Sequence, residues 1–346
     1  MKILVYGGCH AGVIRRVLSR HAVGEHQVDM LVNFQLIRSN TPFPYERLPG
    51  YDWVVFSPVL NKADWNTEHL EAACRRAGVK TLKFPWLQWG GYWPQAATRK
   101  WGAHGEWGLP RLTELGRQRE PFERFYDRLF DPATFVDGLS DWVDFTTSRL
   151  QANERRGEVD LPVSDWIHQH YRDEQLFLTP DHPSNALYKH LMARIADALG
   201  LVLEPGFFSS RLEFQEGVRL PVLPAIQRAL GLAFSSAEWG HHEFLGELSY
   251  GLREFALSYH VASQVVLGQT RHNTVLKTPE AMGAGPGAKG RTPVRLGARR
   301  LMRLVEAPPQ SGHRAVALLD NVDANEPSRS PLYLLSQHWQ LLEPAR

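Results

Sequence analysis

Cysteine is the residue that this chain nearly lacks, since Cys9 and Cys74 are the only two among 346 residues. Two cysteines cannot form the disulfide framework that stabilises a small secreted domain, and they indicate a reducing compartment. The stability of the fold must therefore come from an apolar core. The hydrophobic fraction of 43% is ordinary for a soluble globular protein, and at this length it is sufficient for a sizeable core.

A long apolar run and an excess of one charge are also absent. No segment approaches the roughly 18 to 20 apolar residues that a membrane-spanning helix needs. The first apolar run stops at Gly7, and Arg15 and Arg16 follow soon after, which is a poor pattern for a signal peptide. The formal net charge of +2 gives no argument for a nucleic-acid partner, and the histidines of the C-terminal third match no metal-ligand spacing. We expect a cytoplasmic protein with no transmembrane segment, no nucleic-acid partner and no metal.

Strand and helix signals alternate over the first hundred residues. Short apolar, β-branched runs predict buried strands at residues 3–6, 28–34, 52–56 and 80–85. Between them, apolar residues recur at helical spacing, most clearly over 13–18 and 66–77. This alternation predicts an α/β fold with a small parallel sheet around a Rossmann-like core. Helical spacing dominates after residue 121, so we expect extensive helical additions and a helix-rich chain overall.

The signals weaken towards the C-terminus. We expect residues 1–240 to form the α/β catalytic domain and residues 241–346 to form a helical, loop-rich extension packed on it. A glycine- and proline-rich basic segment, residues 279–297, carries Lys289 and Arg291. It is suited to holding the phosphates of a nucleotide-bearing ligand or to peripheral contact with an anionic membrane. The alternative is a solvated linker before a helix.

The opening residues combine a strand, a glycine turn and a helix. Gly7 and Gly8 permit a tight turn, and Cys9 then stands at the N-terminus of the helix that continues through Ala11. Unpaired N–H groups and the helix dipole favour an anion there, so Gly7, Gly8 and Ala11 are candidates for binding a phosphate-bearing cofactor. A thiol in this position is expected to ionise readily, which makes Cys9 a candidate nucleophile. The alternative is a small cysteine that merely fits a tight junction.

A histidine in a later loop is the candidate base. His182 lies between Asp181 and Pro183, just before a helix, and a rigidly presented histidine suits general-base catalysis. A capping or solvent-facing histidine is the alternative. With Cys9 as nucleophile and Asn61 as an oxyanion donor, the order along the chain resembles that of SGNH-type hydrolases. In those enzymes the nucleophile is serine and the carboxylate lies three residues before the histidine; here Thr179 holds that place, so the carboxylate that orients His182 is open.

Aromatic residues and glycines are concentrated in residues 85–107. Trp86, Trp89 and Tyr92 follow the last predicted strand, where a parallel sheet presents its ligand site. One interpretation is a stacking platform for a sugar or another flat ligand. The other is an ordered loop whose tryptophans cap the core.

Four motifs resemble the WcbI family of capsular polysaccharide biosynthesis enzymes over roughly residues 1–240. They are the opening strand with Gly8-Cys9-His10 and the segments 161–167, 176–184 and 220–224. The first motif of the family usually reads Gly-Asn-Cys-Gln, so Cys9 matches it whereas Gly8 and His10 depart from it. If the missing asparagine contributes to an oxyanion site, His10 is the candidate substitute.

The resemblance implies coenzyme A binding and transfer of an acyl group, expected to be acetyl, from acyl-CoA to a sugar of a capsular or other surface polysaccharide. Cys9, His182, Asn61 and His10 are then the catalytic candidates. Either Cys9 takes the acyl group as a thioester, or His182 deprotonates the sugar hydroxyl for direct attack on acyl-CoA. Two other functions stay open: an SGNH-like carbohydrate esterase or deacetylase, and a non-catalytic protein that binds a glycan or nucleotide.

Overall fold

The computed structural model describes most of the chain and divides it into two compact units. The described residues are 1–98, 107–118, 120–135, 137–211, 213–215, 218–241, 249–266, 294–296, 299–306, 315–321, 332–335 and 343–344. The first unit comprises Met1–Gly91 and Val143–Glu216, and the second comprises Tyr92–Trp142 and Gly217–Arg346. Each unit is thus assembled from two separated segments, a division that differs from the boundary we expected at residue 240.

The first unit is built on a four-stranded parallel sheet. Its strands are β1 (Lys2–Gly7), β2 (Gln27–Val32), β3 (Trp53–Phe56) and β4 (Lys80–Lys83), in the order β2-β1-β3-β4. Helices α1 (Cys9–His21), α2 (Asn33–Arg38) and α3 (Thr67–Ala77) connect them, with short 3₁₀ helices at Tyr45–Gly50 and Ala63–Trp65. Strands that alternate with helices and pair in parallel confirm the predicted α/β class.

Alternate residues of the central strand are buried on opposite faces of this sheet. On one face, Leu4 and Tyr6 join a core cluster that includes Cys74 of α3, which is fully buried. Cys74 is therefore a core residue. Ile3 and Val5 are fully buried as well, and α1 packs along the sheet with four buried apolar residues at helical spacing: Val13, Ile14, Val17 and Leu18.

The second segment of the first unit supplies most of its remaining helices. They are α7 (Leu139–Arg156), which starts in the second unit, then α8 (Ser164–His170), α9 (Asn185–Leu199) and α10 (Pro205–Ser209). Between α8 and α9 lies a small hairpin of β7 (Phe177–Thr179) and β8 (His182–Pro183). Helix α9 is terminated by Gly200, whose φ of +68° is the left-handed conformation of a helix C-cap.

The second unit contains short helices and antiparallel strands. Before residue 143 these are β5 (Ala97–Thr98), β6 (Trp107–Gly108), α4 (Pro110–Gly116), α5 (Phe122–Asp127), a 3₁₀ helix (Arg128–Phe130) and α6 (Pro132–Phe135). After residue 217 come β9 (Val218–Arg219), α11 (Pro224–Leu230), β10 (Trp239–His241), β11 (Ser249–Tyr250) and α12 (Leu252–Val266). The strands β9, β10 and β11 form one three-stranded sheet.

The C-terminal part is less helical than we expected. After α12, the described segments form a five-stranded antiparallel sheet: β12 (Val294–Leu296), β13 (Arg299–Glu306), β14 (Ala315–Asn321), β15 (Leu332–Leu335) and β16 (Glu343–Pro344). The basic residues after the glycine-rich segment therefore begin a strand rather than a helix. Three of the four described pairings join consecutive strands, and a short apolar run does not by itself distinguish a strand from a helix. No helix among the described residues is long and apolar enough to cross a membrane.

A buried glutamate connects α7 to α8. Glu154 is 5% exposed, and its Oε1 accepts hydrogen bonds from the backbone N–H groups of Val163, at 2.7 Å, and Ser164, at 3.1 Å. The Ser164 hydroxyl donates to Oε2. All three donors belong to the start of α8, where a carboxylate satisfies N–H groups that the helix itself leaves unpaired.

We predict that Glu154→Ala lowers the free energy of unfolding by about 2 to 4 kcal/mol, because buried donors then lose their charged acceptor. Urea denaturation followed by circular dichroism measures this. Glu114→Ala is the matched control, since Glu114 is exposed and pairs with Arg111 on the same helix at 3.2 Å; its expected cost is below about 0.5 kcal/mol. Equal effects of the two substitutions would contradict the role assigned to Glu154.

Candidate active site

The candidate site lies at the point where the strand order of the parallel sheet reverses. From β1 the chain continues to β2 on one side, whereas β3 lies on the other side of β1. Open α/β sheets bind ligands at such a switch point, outside the carboxyl ends of the strands. Here Cys9 follows β1, Asn61 follows β3 and Trp86 follows β4, as the sequence predicted for this edge. All three side chains are exposed.

The turn after β1 is tightly packed. A Cβ atom on Gly7 would lie 3.1 Å from that of Ala11, and one on Gly8 would lie 2.9 Å from Cζ3 of Trp86. Ala11 is fully buried and its N–H donates to the Gly8 carbonyl at 3.1 Å. Gly7 and Ala11 thus shape the turn by close packing. Cys9, as the first residue of α1, is the exposed member of this motif.

Trp86 accounts for the glycine at position 8. Its indole ring occupies the space that a side chain at this position would need, and it also packs on His10 with ring centroids 4.7 Å apart. Asn33 Oδ1 lies 3.8 Å from the same point beside Gly8. An asparagine at position 8 is therefore sterically incompatible with the observed place of Trp86.

His10 connects the turn that carries Cys9 to the loop that carries His182. Its side chain is 1% exposed, and Nε2 lies 2.8 Å from the carbonyl oxygen of Asp181. A carbonyl only accepts, so Nε2 carries the proton of the neutral ring and Nδ1 carries none. Burial lowers the pKa of His10 to about 4, and the bond to Asp181 offsets only part of this. His10 thus has no further proton to donate to an oxyanion, which argues against the donor role suggested by the sequence and for a positioning role.

His182 lies beside a carboxylate. Its Nδ1 is 3.9 Å from Oδ1 of Asp181, and Nδ1 is buried without a hydrogen-bond partner among the described residues. The Thr179 hydroxyl donates to the same Oδ1 at 2.8 Å. Asp181 is therefore the candidate acid for orienting His182, and the hydrogen bond from Thr179 holds its carboxylate in place.

Tyr188 is a neighbour of Cys9 that the sequence did not single out. It is fully buried on α9, and its hydroxyl donates to Oε1 of Gln215 at 2.8 Å. Burial raises the pKa of Tyr188 well above its usual value, and the charge of a Cys9 thiolate adds to this shift. The phenol therefore stays neutral beside Cys9. Its position six residues after His182 matches no recognised motif, so its place near Cys9 is seen only in the fold.

The aromatic loop does not form one platform. Trp86 is 37% exposed, whereas Trp89 is 1% exposed; the indole N–H of Trp89 donates to the Thr147 hydroxyl at 3.0 Å, and its ring stacks on Phe177. Trp89 is thus a core residue, and the stacking role predicted for it is wrong because no face of its ring is open to a ligand. Tyr92 belongs to the second unit, where it is fully buried and lines a separate cavity of about 330 Å³.

Asn61 and Trp86 line a common cavity of about 210 Å³ in the first unit. Its opposite wall comes from the end of α7 and includes Asn153 and Arg156. Asn61 has a positive φ of +59°, a conformation that asparagine tolerates better than most residues. Lys289 and Arg291, the predicted phosphate-binding residues, lie outside the described part of the chain.

The sequence comparisons decide the family. A family model described as polysaccharide biosynthesis enzyme WcbI matches residues 2–204, more than half of the chain. The chain belongs to the WcbI family. The predicted resemblance is thereby confirmed, and the matched residues include Cys9, Asn61, Trp86 and His182.

A solved WcbI structure has the same fold. It is 18% identical to this chain, with a TM-score of 0.61, and the match covers 76% of this chain and 90% of that one. That protein is described as a novel polysaccharide biosynthesis enzyme in its native form, without a disulfide bond between coenzyme A and one of its cysteines. At this identity the similarity demonstrates the fold alone. No curated protein matches this chain.

We predict that stability falls between pH 7 and pH 4.5, partly because of His10. The pKa of His10 is lowered from 6.5 in the unfolded chain to about 4 in the fold, so the unfolded state binds the proton first as the pH falls. The contribution of the neutral ring is complete above pH 6.5 and is lost towards pH 4. His10→Gln keeps an N–H donor for Asp181 but does not titrate. Urea unfolding should show a pH-dependent loss smaller by about 2 kcal/mol in this variant; an unchanged loss would contradict the burial of His10.

We predict that iodoacetamide alkylates Cys9 in the folded protein and spares Cys74. Cys9 is exposed, whereas Cys74 is fully buried and its pKa is raised to about 11 by burial. Peptide mass spectrometry after a timed reaction at pH 7.5 measures this. In Cys9→Ser, no alkylation is expected until the protein is unfolded in urea. Labelling of Cys74 before Cys9 would contradict the structure.

Proposed function

We propose that this protein is an acyl-CoA-dependent O-acyltransferase that transfers an acyl group, expected to be acetyl, to a sugar hydroxyl of a capsular or other surface polysaccharide. The proposal rests on the family, whose description is polysaccharide biosynthesis enzyme. It also rests on a relative of the same fold, whose description names coenzyme A together with one of its cysteines. It is carried by one observation on this chain: an exposed cysteine begins a 13-residue helix at the ligand-binding edge of the sheet, tied through His10 to the loop of His182.

The location of Cys9 suits a reaction in which negative charge develops. The first turn of α1 presents backbone N–H groups and the positive end of the helix dipole. These stabilise the oxyanion that forms when a thioester carbonyl is attacked, and the exposed Asn61 amide is a further candidate donor across the switch point. A cofactor phosphate at Lys289 and Arg291 stays a prediction.

The proton of the sugar hydroxyl needs an acceptor, and His182 is our candidate. With Nδ1 facing Asp181 at 3.9 Å, Nε2 is left as the proton-accepting nitrogen. Such hydrogen bonds often tighten only when substrate binds. We propose Asp181 as the residue that orients His182, because its carboxylate lies beside Nδ1.

Two routes give the same balanced reaction. In direct transfer, the sugar oxygen attacks the thioester carbonyl, the carbon–sulfur bond breaks, and coenzyme A leaves as its thiol with the proton that His182 received. In the covalent route, the Cys9 thiolate first takes the acyl group and releases coenzyme A, and the sugar oxygen then displaces Cys9. Both routes form one ester and consume one thioester.

The test is acyl transfer from radiolabelled acetyl-CoA to a mixture of bacterial oligosaccharides. His182→Ala is expected to lower kcat by on the order of 10²- to 10⁴-fold, the usual value of a general base. Cys9→Ala is expected to abolish the covalent route, in which acetyl-CoA alone adds an acetyl group to the peptide that contains Cys9. His168→Ala, which removes an exposed histidine of α8, is the control expected to keep activity.

The same preparation distinguishes the alternatives. Hydrolysis of an aryl acetate without transfer from acetyl-CoA would replace the proposal with an esterase or deacetylase. If neither Cys9→Ala nor His182→Ala changes transfer, the assigned catalytic site is wrong. Ligand binding without turnover in the unchanged protein would indicate a binding function.

A further inference from the structure

The cavity between Asn61 and Arg156 is placed to receive one sugar unit beside the nucleophile turn. Its volume of about 210 Å³ is several times the roughly 30 Å³ that a water molecule occupies. A cavity of this size is on the scale of a monosaccharide. It opens at the carboxyl ends of β3 and β4, which contribute Asn61 and Trp86 through the loops that follow them. The end of α7 closes the opposite side.

Trp86 connects this cavity to the reactive turn. One part of its indole contacts the backbone of Gly8 and the ring of His10, and the residue also lines the cavity. Trp86 is 37% exposed, whereas Trp89 and Trp93 are each 1% exposed. An open indole face packs well against the apolar C–H face of a pyranose. A sugar on Trp86 would therefore lie next to the helix start that carries Cys9.

The polar groups around the indole are suited to hydroxyl groups and to an anion. Asn61 and Asn153 bring side-chain amides, which both donate and accept hydrogen bonds. Arg156 Nη2 donates to Oδ1 of Asn153 at 3.1 Å, and this bond orients the guanidinium group. Of its five N–H donors, several are left to meet a ligand.

The cavity lining contains two charged side chains, Glu154 and Arg156, and they differ in their hydrogen-bond and ion-pair partners. Both carboxylate oxygens of Glu154 accept hydrogen bonds from the start of α8, so these oxygens are already occupied within the protein. Arg156 is exposed and has no carboxylate within 4.0 Å among the described residues. The cavity therefore offers a positive charge together with neutral amides and an aromatic face.

We infer that this cavity binds the acceptor and that the acceptor sugar is anionic, with Arg156 as the residue that selects its carboxylate or phosphate group. This inference rests on the proposed function for the word acceptor, and on the contacts above for the sugar and its charge. Arginine pairs with both anions in a two-pronged geometry that a neutral sugar cannot offer.

The test compares two sugars that differ in one group. Methyl β-glucuronide and methyl β-glucoside share a pyranose ring, and only the first bears a carboxylate. Binding to the full chain without acyl donor is measured by calorimetry and by saturation-transfer NMR. We expect the glucuronide to bind about tenfold more tightly, in line with one charge-assisted contact. Glucose 6-phosphate distinguishes phosphate from carboxylate as the preferred anion, and tighter binding of either supports the inference.

Matched variants assign the effect to Arg156. Arg156→Ala should remove the preference for the anionic sugar, and Arg156→Lys should restore only part of it. Arg155→Ala is the control, because Arg155 lies in the same last turn of α7 and does not line the cavity. Trp86→Ala should weaken both sugars equally. Circular dichroism spectra verify that each variant is folded.

Three results would overturn the inference. The first is equal binding of the charged and neutral sugars, and the second is an equal effect of Arg155→Ala and Arg156→Ala. The third is that the unchanged protein binds neither anionic sugar, while Arg156→Ala loses the binding of coenzyme A. The last result would assign the cavity to the phosphates of the cofactor. Because sugar binding is measured without acetyl-CoA, a failure of acyl transfer leaves these results interpretable.

Discussion

One buried hydrogen bond holds the candidate site together. Nε2 of His10 donates to the carbonyl oxygen of Asp181, which joins two segments separated by 171 positions in the chain. The nucleophile turn sits on the parallel sheet, whereas Asp181 and His182 sit on a small hairpin before α9. The backbone N–H of Trp89 also donates to the carbonyl of Pro180 at 2.8 Å, so the loop after β4 holds the same hairpin. Burial lowers the pKa of His10 to about 4, so its ring stays neutral over the pH range in which a more exposed histidine would titrate.

The packing around Gly8 explains how this member of the family dispenses with a side chain there. Trp86 fills the space, contacts His10 and leaves part of its ring open to the cavity beyond. A single large residue thus supports the reactive turn and forms the floor of the neighbouring cavity. Substitutions at Gly8 and at Trp86 should for this reason be strongly coupled, because each removes the constraint that the other imposes.

Charge is distributed unequally along the end of α7. Glu154 faces inward and satisfies the first N–H groups of α8, so its contribution is to stability. Arg156, two residues on, faces the cavity with its charge uncompensated by any described carboxylate. Successive positions on a helix point in different directions, so Glu154 can stabilise the start of α8 while Arg156 is our candidate for binding a ligand.

The sequence by itself determined the α/β class, the strand–turn–helix that carries Cys9 and the family, because each depends on local periodicity, on glycine or on a short motif. It also placed Cys9, Asn61 and Trp86 at one edge, since parallel strands end on the same side of a sheet. Only the tertiary structure decided that Trp89 is buried, that His10 donates to Asp181, and that Tyr188, Asn153 and Arg156 lie at the site. These features depend on contacts between segments distant in the chain. The antiparallel C-terminal sheet escaped prediction for another reason: its described strands are short, and a short apolar run does not distinguish a strand from a helix.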